Sequence, residues 1–214
     1  MIQIAPSMLS ADFLHLEKDV EMVNEHADLF HLDIMDGVFV PNLSYGFPVV
    51  EAIASKSRKP LDTHLMIIEP EKYVERFVKV GSDMVSFHLN ATSDPDAVLL
   101  KIRESGAKAG LAINPDIPVE SLYPHLKNCD YVLLMSVFAG FGGQKFIEET
   151  YGRIAKLKAE IQSQGLDIPI EVDGGVSASN AAELAEAGAE ILVAGSAVFK
   201  ADNPAGVIAA MRGE

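Results

Sequence analysis

The feature that most constrains this chain is a strict alternation of short, β-rich apolar runs with amphipathic helical segments, sustained from one end to the other. The apolar runs fall at residues 2–7, 29–35, 61–67, 84–89, 108–113, 131–137, 168–173 and 191–195. Between them, apolar side chains recur at helical spacing, as in Phe13, Leu16, Val20 and Val23, in Tyr73, Phe77 and Val80, and in Ile154, Leu157 and Ile161. Ser10, Asp94-Pro95 and Pro118 mark helix starts, while Gly81, Gly106, Gly165 and Gly188 stand where helices should stop. Strands separated by helices pair in parallel, with the helices covering the sheet. Eight such units in 214 residues leave about 27 residues each, room for a strand, a helix and two short loops. Residues 1–214 therefore read as a single domain.

Two closures satisfy this pattern, an open doubly wound sheet and a (β/α)8 barrel. A nucleotide-binding open sheet carries Gly-x-Gly-x-x-Gly after its first strand. Here that strand runs into Ser7-Met8-Leu9-Ser10, which has no glycine. Eight units with glycine-rich loops late in the chain predict an α/β fold of the (β/α)8 TIM-barrel type.

Charge narrows the partners. Lys plus Arg number 17 against 31 Asp plus Glu, a formal charge of −14. That balance argues against nucleic-acid or anionic-membrane binding, where a basic face is the usual footprint, and an anionic ligand must be held by local donors. Cys129 is the only cysteine, so no internal disulfide can form. No apolar run approaches the ~18 residues of a membrane helix. Met1-Ile2-Gln3-Ile4-Ala5-Pro6 has no basic segment before a long apolar stretch, so the expected location is the cytoplasm.

The second strand reads Phe30-His31-Leu32-Asp33-Ile34-Met35. Period-two alternation puts His31, Asp33 and Met35 on one face and Leu32 and Ile34 on the other. With the apolar pair toward the helices, the imidazole and carboxylate point into the barrel. His64 and Met66 repeat the arrangement on the third strand, and Asp173 ends the seventh before Gly174-Gly175. Each residue alone has an ordinary explanation: a hydrogen-bonded pair, a core histidine, a turn aspartate. Converging from three strands, two imidazoles and two carboxylates make a ligand set that suits Zn²⁺ first, with Fe²⁺, Mn²⁺ or Co²⁺ also fitting.

Glycine-rich loops follow late strands, at Gly140-Phe141-Gly142-Gly143, Gly174-Gly175 and Gly195-Ser196. Any one of them serves a tight turn. Three beside a carboxylate–imidazole cluster point to a small phosphorylated ligand held by backbone N–H groups. Met35, Met66 and Met135 read first as core packing and second as a water-poor wall. His88 shares a strand face with Ser86 and Asn90 and can support the cluster or simply fill the core. His15, His26 and His125 read as surface residues, and Cys129 as a small buried residue at the far end of the barrel.

Taken together, Ile4 to Phe13, His31-Leu32-Asp33-Ile34-Met35-Asp36-Gly37, Phe39-Val40-Pro41-Asn42, Asp62-Thr63-His64-Leu65-Met66, Gly140 to Phe146 and Glu171-Val172-Asp173-Gly174-Gly175 resemble the ribulose-phosphate 3-epimerase family along essentially the whole chain. The resemblance implies a ribulose-phosphate-binding barrel that interconverts D-ribulose 5-phosphate and D-xylulose 5-phosphate in the pentose phosphate pathway, working as a homo-oligomer. It implies one divalent metal ion per chain on His31, Asp33, His64 and Asp173, with Asp33 and Asp173 as the acid/base pair. It further implies a ketose phosphate bound by Ser7, His64, Gly140, Phe141, Gly142, Gly143, Asp173, Gly174, Gly175, Gly195 and Ser196. The chain departs from the family pattern at Phe138-Ala139, where Asn-Pro is usual, and at Asn90, where Glu is common.

Three alternatives stand beside this expectation. D-allulose-6-phosphate 3-epimerase runs the same chemistry on a six-carbon chain and is similar in the His26-Ala27-Asp28 segment. Phosphate-binding barrel decarboxylases and aldolases carry Asp-x-Lys-x-x-Asp, but Met35 occupies the lysine position here. A barrel kept only to bind a sugar phosphate would be expected to lose one of its two acids, and both are present.

Overall fold

The computed structural model describes residues 2–214. Eight parallel strands run in chain order: β1 (Gln3–Pro6), β2 (Phe30–Met35), β3 (Leu61–Met66), β4 (Met84–His88), β5 (Lys108–Ile113), β6 (Tyr131–Met135), β7 (Ile170–Asp173) and β8 (Ile191–Ala194). The sheet order is β1-β8-β7-β6-β5-β4-β3-β2. Its two ends meet through a parallel bridge between Ser7 and His31 and through the Asp28 and Leu29 N–H groups, which donate to Ile4 O at 3.0 and 3.4 Å. The sheet therefore closes as a (β/α)8 barrel, and the open alternative is excluded.

The outer layer comprises α1 (Leu16–His26), α2 (Phe47–Ala54), α3 (Val74–Lys79), α4 (Pro95–Glu104), α5 (Thr150–Ser163), α6 (Ala181–Ala187), α7 (Ser196–Phe199) and α8 (Pro204–Arg212). The start of α4 follows its sequence signal: Asp94 accepts from the Ala97 N–H at 3.1 Å, and Pro95 opens the first turn. Pro118 instead leads into a 3-10 segment, Val119–Asn128, with Pro124 inside it. Ser10 also begins no α-helix, since Met8–Ser10 is a 3-10 turn and α1 starts only at Leu16. The intervening residues are held by side chains. Asp12 accepts from the Leu14 N–H and donates its own N–H to Asp19, so this stretch stays a turn. Phe13 is consequently outside the helix and half-exposed, 5.5 Å from the Tyr45 ring. No helix among the described residues is long and apolar enough to cross a membrane.

The main core lies between sheet and helices, where outward strand residues such as Leu32, Leu65, Phe87, Leu111, Leu134 and Leu192 meet Val23, Ile53, Leu99, Ile154 and Leu184. Inside the barrel, apolar residues fall into separate layers. Ala5, Leu29, Met84, Tyr131, Ile191 and Val193 fill one; Met35, Val40 and Met66, and Met135 with Val137, line the opposite end. Between them sits a buried polar layer of His31, Asp33, Asp62, His64, Ser86, His88 and Glu171. A small barrel is normally filled by branched apolar side chains. This one spends its middle on imidazoles and carboxylates, an arrangement that hydrogen bonds or a bound cation must offset.

Candidate active site

The register of β2 against β3 builds half of the site. His31 is paired with Asp62, Asp33 with His64 and Met35 with Met66, so alternation on both strands brings these side chains together at matched heights. From across the β1/β2 closure, Ser7 Oγ donates to Asp33 Oδ2 at 2.5 Å. His64 Nδ1 lies 3.2 Å from Asp33 Oδ1, and His31 Nε2 lies 3.4 Å from the same oxygen. The other half comes from β7. Asp173 Oδ2 stands 3.9 Å from His31 Nε2 and 3.8 Å from His64 Nδ1, beyond hydrogen-bond reach of either. Donor atoms of His31, Asp33, His64 and Asp173 all fall within 4.8 Å of one another. All four expected ligands therefore meet at one point.

Whether a metal suits them is decided by His31. Its Nδ1 is bonded to Asp62 Oδ2 at 2.5 Å, whereas its Nε2 is buried with no hydrogen-bond partner among the described residues. An orphaned ring nitrogen facing two carboxylates and a second imidazole is what a divalent cation would satisfy. A second group, His31, Asp62 and Glu171, is equally compact. There the His31 nitrogen is already committed to Asp62, so that group supports a ligand rather than holding an ion.

The two acids differ in character. Burial opposes the charge of Asp33, but the imidazoles of His31 and His64 more than offset it and hold this carboxyl well below the usual carboxylate range. Burial, reinforced by the negative charge of Asp33, pushes the Asp173 carboxyl up to about 6. Deeper in the barrel, burial and the charge of Asp62 raise the Glu171 carboxyl well above its ordinary value. His88 faces His64 with their Nε2 atoms 2.9 Å apart, and burial, aided by His64, keeps His88 neutral.

Above the cluster opens a pocket at the carboxyl end of the strands. Ser7, Asp33, Gly140, Phe141, Gly142, Gly143, Asp173, Gly174, Gly175, Gly195 and Ser196 all line it, as do Met35, Met66 and Met135. His31 and His64 are fully buried and do not line it, so His64, expected to bind substrate, lies behind Asp33 and Asp173 instead. The loop after β6 is pinned against the loop after β7. A Cβ on Gly175, whose φ is +64°, would lie 2.6 Å from the Phe146 nitrogen, so only glycine allows this approach. The Gln144 amide donates to the Phe138 and Phe141 carbonyls at 2.7 and 2.8 Å, bending the same loop over the pocket.

Several residues of the site were not singled out from the sequence. Ser10 lines the pocket beside Gly195. Asp62 supports His31 and is itself bonded by the Tyr131 hydroxyl at 2.8 Å. Asp62 and Glu171 carried a signal, since each lies two residues before a predicted ligand and so faces inward. Asn90, grouped with His88 by period two, leaves the face because β4 ends at His88. It sits exposed in the 3-10 turn Leu89–Ala91.

Two acids and two imidazoles thus meet beneath glycine loops at the carboxyl end of the strands of a closed parallel barrel, the end at which barrel enzymes carry their active sites. The fold itself is widely shared. KGPDC from Streptococcus mutans superposes with a TM-score of 0.74 at 14% identity, covering 100% of this chain and 96% of that one. Orotidine 5'-phosphate decarboxylase from Pyrococcus horikoshii gives 0.71 at 14%, covering 97% and 96%. Sequence is more specific. The Ribulose-phosphate 3 epimerase family matches residues 3–199, and the chain belongs to that family. A ribulose-phosphate 3-epimerase of Synechocystis sp. is 49% identical over 214 residues, 99% of this chain and 93% of the relative. One of Bacillus subtilis is 44% identical over 215 residues, covering 100% and 99%. The chain is thus an isomerase of the epimerase class.

Proposed function

We propose that this enzyme interconverts D-ribulose 5-phosphate and D-xylulose 5-phosphate, a step of the pentose phosphate pathway, by proton transfer at C3 between Asp33 and Asp173. The observation that carries the reading is the pair of unlike carboxylates, presented to one pocket from strands separated by β1 and β8. Inverting a carbon next to a ketone requires a proton to leave one face and another to arrive at the opposite face, through an enediolate. Asp33, oriented by Ser7, and Asp173, on the opposite side of the pocket, are the two proton carriers, one accepting while the other gives. In the reverse direction they exchange roles.

His31, Asp33, His64 and Asp173 would hold one divalent ion, Zn²⁺ best, with Fe²⁺, Mn²⁺ or Co²⁺ as substitutes. When bound, the ion supplies positive charge that stabilises the enediolate oxygens. The methionine wall of Met35, Met66 and Met135 keeps water from the intermediate. Backbone N–H groups of Gly142-Gly143, Gly174-Gly175 and Gly195-Ser196 hold the phosphate, because the net charge of −14 offers no attraction from the molecule as a whole. Met35 stands where a related decarboxylase would need lysine, so that chemistry lacks its ammonium group. Family kinship also supports a homo-oligomeric, cytoplasmic enzyme.

The test is to assay the purified protein with D-ribulose 5-phosphate and D-allulose 6-phosphate side by side, before and after exhaustive chelation. The pentulose should be the better substrate, with turnover lost on chelation and restored in part by Zn²⁺, Mn²⁺ or Co²⁺. Preference for the hexulose would reassign the substrate, and full activity without metal would remove the ion from the mechanism.

A further inference from the structure

The metal reading leaves a second buried network unexplained, that of Asp62, Tyr131 and Glu171 beneath the site. We propose that Asp62 and Tyr131 are positioning residues, which together present His31 to the metal through its Nε2. The inference rests on the metal-site reading above.

The geometry is a chain of two hydrogen bonds across three strands. The Tyr131 hydroxyl on β6 donates to Asp62 Oδ1 at 2.8 Å, and Asp62 Oδ2 on β3 accepts from His31 Nδ1 at 2.5 Å. Because Nδ1 is taken by Asp62, Nε2 is the ring nitrogen that faces Asp33 and Asp173 and the one that would bind the metal. An imidazole so held by a carboxylate is fixed in tautomer and ring orientation, and is a stronger donor. His64 contrasts with it, since its outer nitrogen meets only the neutral imidazole of His88. His31 is therefore the ligand with anionic support.

The position of Tyr131 is itself specified. Its ring occupies the space over Gly110, where a Cβ would come within 2.3 Å of the ring. That vacancy lets a full tyrosine enter the barrel and reach Asp62, and both residues are completely buried. If the ring only filled volume, its hydroxyl would carry a desolvation cost for nothing. Glu171 does not do the same work. It is 3.4 Å from His31 Nδ1, and neither of its oxygens has a hydrogen-bond partner among the described residues.

The experiment is a Co²⁺ titration of the full-length, metal-stripped protein, read by competition with a chelator and by the visible ligand-field bands of the bound ion. Asp62→Asn, which keeps shape but removes the charge, should weaken Co²⁺ binding by about 10- to 100-fold and shift the bands. Tyr131→Phe keeps the ring packed over Gly110, and its melting temperature serves as the folding control. It should weaken binding by a smaller factor, with a band shift in the same direction. Glu171→Gln should leave both readouts near wild type. Wild-type affinity and spectrum in both Asp62→Asn and Tyr131→Phe would overturn the proposal while leaving the metal site intact. An effect of Glu171→Gln as large as that of Asp62→Asn would also overturn it, because support would then be diffuse. Failure of the wild-type protein to take up Co²⁺ would overturn the metal reading and this inference together.

Discussion

The two walls of the pocket are built differently. On the β1–β3 side, Ser7, His31, Asp33, Asp62 and His64 bond to one another, and the imidazoles and Asp62 are wholly buried. On the β6–β8 side, Asp173 is out of hydrogen-bond reach of either imidazole, its side chain is 15% exposed, and it is flanked by glycine loops. Phe138 and Phe141 on that side are each about half exposed. One wall is preorganised to hold charge in a fixed place; the other is left open to receive a ligand. Electrostatic stabilisation works when the groups providing it do not have to move, whereas binding a phosphate needs backbone that can approach it closely.

The largest effects should come from the two acids, and should separate the walls. Asp33→Asn and Asp173→Asn should each lower kcat by about 10²- to 10⁴-fold, the usual worth of a positioned acid or base. Their stabilities should differ. Asp33→Asn leaves Ser7, His31 and His64 around a neutral amide in a buried site, and should cost about 2–4 kcal/mol. Asp173→Asn breaks no such network, so with both proteins stripped of metal it should melt close to wild type. Thermal unfolding of the two variants beside the assay checks this, and equal losses of stability would mean the walls are alike.

A smaller effect is expected at Ser7. Ser7→Ala removes the hydroxyl that orients Asp33, and should reduce kcat by about tenfold, in line with the loss of one hydrogen bond to a charged group. Affinity for the sugar phosphate should change little. If KM rises instead, Ser7 belongs to substrate binding more than to the orientation of Asp33.

The smallest effect concerns the open wall. A Cβ on Gly195 would lie 2.7 Å from Ser10 Oγ, a small side chain able to turn aside. Gly195→Ala should therefore fold normally and raise KM for the phosphorylated sugar by roughly three- to tenfold, with kcat nearly unchanged. Equal use of the dephosphorylated pentulose by the wild-type enzyme would remove the phosphate site from the account.

The same contrast explains what was legible in the sequence. Strand alternation alone places His31, Asp33, His64 and Asp173 on inward faces, and the βα repeat makes those faces converge. Asp62 and Glu171 obey the same period, but periodicity tells only which face a residue occupies. That Asp62 meets His31 depends on the β2/β3 register, which pairs the two residues. Tyr131 reaches Asp62 only because Gly110, on another strand, leaves space. Ser10 and Phe13 fall outside α1, although the apolar period extends back past the helix's real start at Leu16. The competing Asp12 turn is a side-chain effect that no period records. On the open wall the glycines were legible as loops, since their clustering at the ends of late strands depends on chain order alone.

Two carboxylates on opposite walls are proposed to carry separate protons, and isotope exchange in deuterated water tests this most directly. Wild-type enzyme should place solvent deuterium at C3 of the product, because the acid that delivers is not the base that abstracts. Asp173→Asn, with metal occupancy measured alongside, should wash deuterium into one epimer without converting it. Asp33→Asn should do the same for the other epimer only. If both variants retain metal and still interconvert the epimers at near wild-type rates, these aspartates are not the proton carriers.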